Sequence, residues 1–406
     1  MRILHTSDWH LGRTLHDKRR HGEHEEFLGW LEEVVLQRHI DLLLICGDVF
    51  DTVTPGNKSL ELYYSFLRRV VDGGCRHVVV IGGNHDSPSL LDAPKGILEH
   101  LGVHVVGAAT EDEVLLLHDG EGQVEAIVCA VPFLHDRDVR DISANGDWEE
   151  KEKRLVAGIR SHYADVQNRA LSLRETLGGH IPIIVTGHMF ASGGKVTEGD
   201  GVRDLYVGTA AAVPSSLFDD RIDYVALGHL HVPQKVAGKE HVRYSGSPLP
   251  MGFGEAGQKK QVVVIDFSHD SLFPLVETMD LPVFQTLLRI GGTLEQIESR
   301  LQAAVDSLKS IWVEVNYDGT LSAQELGKQL DMIVQGSQVE ILRLKNTRLT
   351  EHVLGDDEWH TTLDDLDEKE VFRRRLELEE MEDDEKTILT RLYGQVLQSL
   401  REEEAL

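Results

Sequence analysis

Five short apolar runs in this chain end on the same kind of word. Arg2–His5 leads into Asp8-Trp9-His10, and Asp41–Cys46 into Gly47-Asp48-Val49-Phe50-Asp51. His77–Ile81 leads into Gly82-Gly83-Asn84-His85-Asp86, Ile181–Thr186 into Gly187-His188, and Asp223–Leu227 into Gly228-His229-Leu230-His231. The runs have strand length and strand composition, as do Val103–Val106, Val124–Val131 and Gln261–Phe267. Helical periodicity occupies His24–Arg38, Asn57–Val71, Leu90–Leu101 and Trp148–Leu177. Apolar strands alternating with helices predict an α/β layered domain, its sheet covered on both faces. Open α/β sheets bind ligands beyond the carboxyl ends of their strands. Five strands therefore bring Asp, Asn and His to one edge. In four of the five a glycine directly precedes the first such residue, which permits a sharp turn that aims the side chain back over the sheet.

The converging donors are Asp8, His10, Asp48, Asn84, His188, His229 and His231. Seven mixed nitrogen and oxygen donors are too many for one transition ion and suit two, with the Asp48 carboxylate as the bridge. Two ions about 3.5–4 Å apart can clamp the attacking and leaving oxygens of a displacement and acidify a bound water. The set contains no thiolate, which favours Mn²⁺ and still allows Zn²⁺ or Fe²⁺. Taken singly, each word has a plainer reading: a helix cap, a turn, or alternate residues on a strand. Taken together, five words ending five strands are not explained by caps and turns.

Charge points elsewhere. Among 406 residues, 69 acids against 41 bases give a net charge of −28, the wrong sign for a free-standing nucleic-acid binder. The excess is uneven, since Asp356–Leu406 alone carries 18 acids and 7 bases. The length predicts two or three domains at about 150 residues each. The expected boundaries are a catalytic domain over 1–275, a small α/β domain over 281–350 and an acidic helical segment over 356–406. In the small domain, strand Thr286–Ile290, helix Leu294–Leu308, strand Ile311–Tyr317, helix Ser322–Val334 and strand Gln338–Leu344 follow one another, and Thr293 with Gln296 forms a capping box. In the tail, two helices are expected near Leu366–Met381 and Glu385–Leu400, the second with an apolar stripe suited to docking on another protein. No apolar run approaches the roughly 18 residues that span a bilayer. Three scattered cysteines, Cys46, Cys75 and Cys129, form no disulfide framework, and with no secretory leader expected they fit a reducing cytoplasm.

The words Asp-x-His, Gly-Asp-x-x-Asp, Gly-Asn-His-Asp, Gly-His and Gly-His-x-His, in this order, resemble the calcineurin-like metallophosphoesterase superfamily. The fuller strings His5-Thr6-Ser7-Asp8-Trp9-His10-Leu11-Gly12, Gly47-Asp48-Val49-Phe50-Asp51-Thr52, Tyr224–His231 and Tyr244-Ser245-Gly246-Ser247-Pro248 are similar to its bacterial SbcD nuclease branch. The resemblance implies a layered metallophosphoesterase core, a small capping domain and a C-terminal helical segment. It implies that the seven donors bind two metals, that His85 is a catalytic histidine, and that Asp51 pairs with it. It also implies metal-dependent cleavage of DNA: exonuclease action on double-stranded ends and endonuclease action on single-stranded or hairpin DNA. The implied partner is an SbcC-like SMC-family ATPase held by the tail helices. Homodimerisation is implied too, with Leu60, Tyr63, Tyr64, Leu67 and Val71 as the candidate face.

Two positions separate this chain from the phosphoprotein phosphatases of the superfamily. Thr52 stands where they carry a phosphate-gripping arginine, and Asp86 where they carry glutamate. Both favour a diester, which bears one charge and needs less gripping. Beside the first metal word lies a basic cluster, Arg13, His16, Lys18, Arg19 and Arg20, expected to meet DNA phosphates, with Lys195 in a second loop. The competing readings are a small-molecule phosphodiesterase or phosphatase, a non-catalytic repair scaffold, and a metal-storage protein.

Overall fold

A computed structural model describes residues 1–139, 148–191, 213–267 and 274–346. The chain divides into two compact units between Thr286 and Leu287. Among the described residues the first unit holds two six-stranded sheets. One runs, in spatial order, Leu275–Asp280, Gln261–Asp266, Arg2–Thr6, Leu42–Cys46, His77–Ile81 and Val103–Val106. The other runs Gln234–Lys235, Val242–Tyr244, Tyr224–Gly228, Ile183–His188, Val124–Cys129 and Val114–His118. The strands that end on the five words are parallel to their neighbours among these five, so within each sheet their carboxyl ends share one edge.

The layering is the expected layered α/β core with its sheet covered on both faces, and the structure shows what covers the inner face. Helices His21–Gln37 and Asn57–Asp72 pack Phe27, Leu31, Phe66 and Val70 against Leu4, Leu43, Ile45, Val78 and Val80 on one face of the first sheet. Helix Trp148–Leu177 covers the second sheet, with Ile159, Tyr163 and Val166 against Ile127, Ile183 and Val225. Between the sheets, Ile3, Leu44, Val79 and Ile81 meet Val128, Ile184, Tyr224 and Ala226. Every central strand is thus apolar on both faces, but another sheet rather than a second helical layer covers the inner one. Strand hydrophobicity alone does not distinguish these two covers.

Elements chosen by strong periodicity stand where expected, and short or exposed ones were missed. Val242–Tyr244 has three residues, and Leu275–Asp280 is an edge strand with most side chains at least partly exposed. Leu90–Leu101 is not one helix: Pro94 separates Pro88–Asp92 from Lys95–Leu98, because its ring cannot continue the hydrogen-bond ladder. Tyr63 and Leu67 are buried in the chain's own core, which leaves Leu60, Tyr64 and Val71 half-buried on that helix.

In the second unit, strands Thr286–Gly292, Ile311–Tyr317 and Val339–Asn346 form a three-stranded sheet. Helices Leu294–Asp306 and Ala323–Val334 bury Ile297, Leu301, Leu326 and Leu330 against Ile290, Val313 and Val315. The Thr293 N–H donates to Gln296 Oε1 at 3.1 Å, as its capping box requires. No helix of the described residues is long and apolar enough to cross a membrane. The tail helices near Leu366–Met381 and Glu385–Leu400, and Lys195, lie outside the described residues.

Candidate metal centre

The site begins with unusual backbone. Asp8, His10, Asp48 and His229 have positive φ, at 54°, 48°, 50° and 96°. Such conformations cost a non-glycine residue on the order of 1–3 kcal/mol and persist only where surrounding bonds impose them. Those bonds are visible: the Asp8 N–H donates to the Gly47 carbonyl at 3.0 Å, and those of His10 and Leu11 to the Asp48 and Val49 carbonyls at 2.9 Å. Of the four preceding glycines only Gly47 has positive φ, at 82°. Gly83 and Gly228 serve by being small. A Cβ on Gly83 would strike the Asp48 backbone and carboxylate, and one on Gly228 the Cys46 carbonyl and His188. The expected glycine turns are thus mostly close approaches, and the functional residues themselves take the turn.

From this backbone the donors converge. Ligand atoms of Asp8, His10 and His231 lie within 4.8 Å of one another, as do those of Asp8, Asp48 and His188, and those of His10, Asp51 and His85. Asn84 Oδ1 is 3.0 Å from both His188 Nε2 and His229 Nδ1. Asp48 Oδ2 is 3.3 Å from His188 Nε2 and 3.6 Å from His10 Nε2, so the carboxylate expected to bridge stands between the two groups. Asp8 is held by Ser7 Oγ at 2.5 Å and the His229 N–H at 2.9 Å, and Ser7 is 2.8 Å from Ser245 Oγ. All seven donors come to one place, the first four from one sheet and the three histidines from the other.

The donor chemistry fits a divalent cation. His188 Nδ1 donates to the Cys46 carbonyl at 2.9 Å, so in the neutral ring Nε2 is a lone pair facing two further acceptors, Asn84 Oδ1 and Asp48 Oδ2. His10 Nε2 and His231 Nε2 face each other at 3.2 Å, and His10 Nδ1 lies 3.2 Å from the Asp51 carboxylate. Burial opposes charge on His188, but the Asp48 and Asp8 carboxylates outweigh it and raise the ring to about 9. Burial also works to raise Asp48, and the imidazoles of His188, His10 and His85 overcome it and hold the carboxyl well below its ordinary range. Burial raises Asp8 and drops His229 to about 3. Imidazoles, an amide oxygen and carboxylates crowded at 3.0–3.6 Å in a buried pocket are the donor set a divalent cation takes.

His85 lies beside this cluster, its ring edge-on to His10 at 4.8 Å between centroids. Its N–H donates to Asp48 Oδ1 at 2.9 Å. Its Nδ1 donates to the backbone carbonyl of Asp51 at 2.9 Å. The Asp51 carboxylate instead meets Arg13 Nη1 at 3.0 Å and His10 Nδ1 at 3.2 Å. In the basic cluster, Arg20 is buried and paired through both arms with Glu23, at 2.8 and 2.6 Å, which removes it from the surface. His16 is exposed and stacks on Phe253, and Lys18 is half-buried. Sequence reasoning did not assign Asp86 a place in the site. Its buried carboxylate accepts from the N–H groups of Val49, Phe50 and Gly83 at 3.1, 2.9 and 2.9 Å, tying the Asp48 loop to the Asn84–His85 loop. The signal was its position closing Gly-Asn-His-Asp.

Known proteins match the chain along its length. The calcineurin-like phosphoesterase family matches residues 1–233. The family described as type 5 capsule protein repressor C-terminal domain matches residues 283–380. The chain is 36% identical over 403 residues to SbcD of the SbcCD nuclease from Escherichia coli strain K12, covering 98% of each. It is 37% identical over 317 residues to SbcD from Rhodobacter capsulatus, covering 76% of each. With SbcD from Bacillus subtilis strain 168 it shares 35% over 269 residues, covering 66% of each. On these matches the chain belongs to the calcineurin-like phosphoesterases and, among them, to the SbcD nuclease family.

Proposed function

We propose that this protein is a metal-dependent DNA nuclease. It acts as an exonuclease on double-stranded ends and an endonuclease on single-stranded or hairpin DNA, together with an SbcC-like SMC-family ATPase in break and hairpin processing. The observation that carries this reading is the convergence of ligand atoms from five strand ends, separated by more than two hundred positions, into groups within 4.8 Å. Asp8, His10, Asp48 and His231 would hold one divalent ion and Asp48, Asn84, His188 and His229 a second, and Mn²⁺ would suit a thiolate-free set. When bound, such a pair supplies Lewis acidity and a nucleophile at neutral pH.

The chain's own residues do the rest. The Asp51 carbonyl accepts from His85 Nδ1 in both the neutral and the charged ring. Nε2 is therefore the nitrogen that gains a proton and gives it to the leaving sugar oxygen, or stabilises charge building at the phosphoryl group. Asp51 acts as a positioning residue twice, through its carbonyl on His85 and through its carboxylate, braced by Arg13, on His10. Thr52 leaves the phosphate ungripped, as a diester permits. Arg13, which also meets the Asp51 carboxylate, is assigned with His16 and Lys18 to DNA phosphates, and Lys195 to a second contact. The domains are assigned as 1–275 for hydrolysis, 281–350 as cap and 356–406 for the ATPase. Two copies pair through the helix carrying Leu60, Tyr64 and Val71. Three free, buried cysteines suit a reducing cytoplasm.

The test is His85→Ala. Mn²⁺-dependent cleavage of labelled duplex and hairpin DNA should fall by about 10²–10⁴-fold, while calorimetry still counts two Mn²⁺ per chain. Cleavage at the wild-type rate would remove His85 from the chemistry.

A further inference from the structure

A buried charge pair behind His231 has no part in the scheme above. Lys260 and Glu255 are both almost wholly buried, with Nζ 2.5 Å from Oε2. Lys260 Nζ also donates to the His231 carbonyl at 3.1 Å and to Ser247 Oγ at 3.0 Å. The Ser247 N–H reaches the same carbonyl at 3.1 Å. On Glu255, Oε2 accepts from the Met251 N–H at 2.9 Å, while Oε1 lies 3.8 Å from His231 Nδ1. The segment carrying Glu255 is fastened from the other side as well. Buried Arg20 donates to the Pro250 carbonyl at 2.6 Å, and His16 stacks on Phe253 at 5.7 Å.

This arrangement is costly for stability alone, since a buried ion pair gains little over an apolar pair of the same volume. Its geometry has a clearer use. His231 turns Nε2 toward His10 and Nδ1 toward a carboxylate. A carboxylate that accepts the N–H of the non-ligating nitrogen of a metal-bound histidine fixes the tautomer and raises the basicity of the ligating one. Glu255 Oε1 stands in ion-pair reach of that nitrogen, at 3.8 Å, longer than a hydrogen bond. Lys260 holds both members of the pair, the carboxylate through its side chain and the histidine through its carbonyl.

We propose that Glu255, anchored by Lys260, is a positioning residue that keeps the His231 proton on Nδ1 and so presents Nε2 to the cation shared with Asp8 and His10. The proposal rests on the metal reading given above. Its readout is metal affinity rather than turnover. In Glu255→Gln, the Mn²⁺ isotherm should keep one tight ion and lose about 10–100-fold in affinity for the other. That variant leaves a buried ammonium without its partner, so the double variant Glu255→Gln/Lys260→Met removes both charges. It should melt near the wild-type temperature and show the same selective weakening. Two ions bound at wild-type affinity by the double variant would overturn the proposal. A second measurement needs no variant: in the ¹⁵N histidine spectrum of the Zn²⁺-loaded wild-type protein, His231 should carry its proton on Nδ1. Coordination through Nδ1 would overturn the proposal. Asp48→Asn separates the two levels, because both ions retained at full affinity in that variant would overturn the metal reading itself.

Discussion

At the residue scale the site is built on exclusion of volume. Gly228 shows this best, because an added methyl has backbone on one side, the Cys46 carbonyl, and the His188 ring on the other. That carbonyl is the acceptor that sets the His188 tautomer, so the two intrusions act on one hydrogen bond. Gly228→Ala should therefore cost about 1–3 kcal/mol of stability through overpacking, read as a lower urea midpoint, and weaken Mn²⁺ binding at the same time. A variant that loses stability but binds both ions normally would show that the glycine serves packing only. The seven donors were legible because each sits in a short word at a strand end. The partner of His85 was not, because a side-chain carboxylate and a backbone carbonyl of Asp51 lie within reach of the same loop and only coordinates distinguish them.

At the element scale, helix His21–Gln37 is tied to the first metal loop by a neutral histidine. His24 is buried, and its Nε2 donates to the Trp9 carbonyl at 3.1 Å. Burial, with the Arg20 charge adding to it, drops the ring to about 3. His5, between the two sheets, is likewise dropped to about 3 by burial. Both lie below the ordinary 6.5, so the unfolded chain takes up these protons first. Stability is complete above about pH 6.5 and drains as pH falls toward 3, at up to about 1.4 kcal/mol per pH unit for each ring. In the metal-free protein, His24→Gln should flatten one ring's share of that slope, measured by urea unfolding across the window. An unchanged slope would mean that His24 accepts a proton without leaving its place. Helix and strand positions were readable from period and length. The double sheet was not, because inner-face residues such as Leu44 and Ile184 look the same whichever layer covers them.

At the scale of the whole molecule, the acidic charge is uneven, and it places a demand on any DNA contact. The excess is densest in the tail, with 18 acids against 7 bases from Asp356 onward, but the remaining 51 acids against 34 bases leave the rest of the chain net acidic too. If, as proposed, the tail holds the ATPase, much of the duplex affinity comes from that partner. Deleting Leu366–Leu406 should abolish co-purification with the SMC-family ATPase and spare Mn²⁺-dependent hydrolysis of a small diester. Binding that survives the deletion would move the docking surface elsewhere.

The sequence by itself determined which atoms were available: parallel strands of buried aliphatics, each handing a carboxylate, amide or imidazole to one edge. Only the tertiary structure decided what those atoms face. Whether Arg20 meets phosphate or Glu23, which oxygen of Asp51 holds His85, and that Glu255 stands behind His231 depend on ångström-scale contacts. Asp51 and His85 are 34 positions apart, and Glu255 and His231 are 24 apart, while Arg20 and Glu23, three apart, meet as a buried pair. Such contacts follow from how layers pack, and a local word in a sequence carries no record of its distant neighbour.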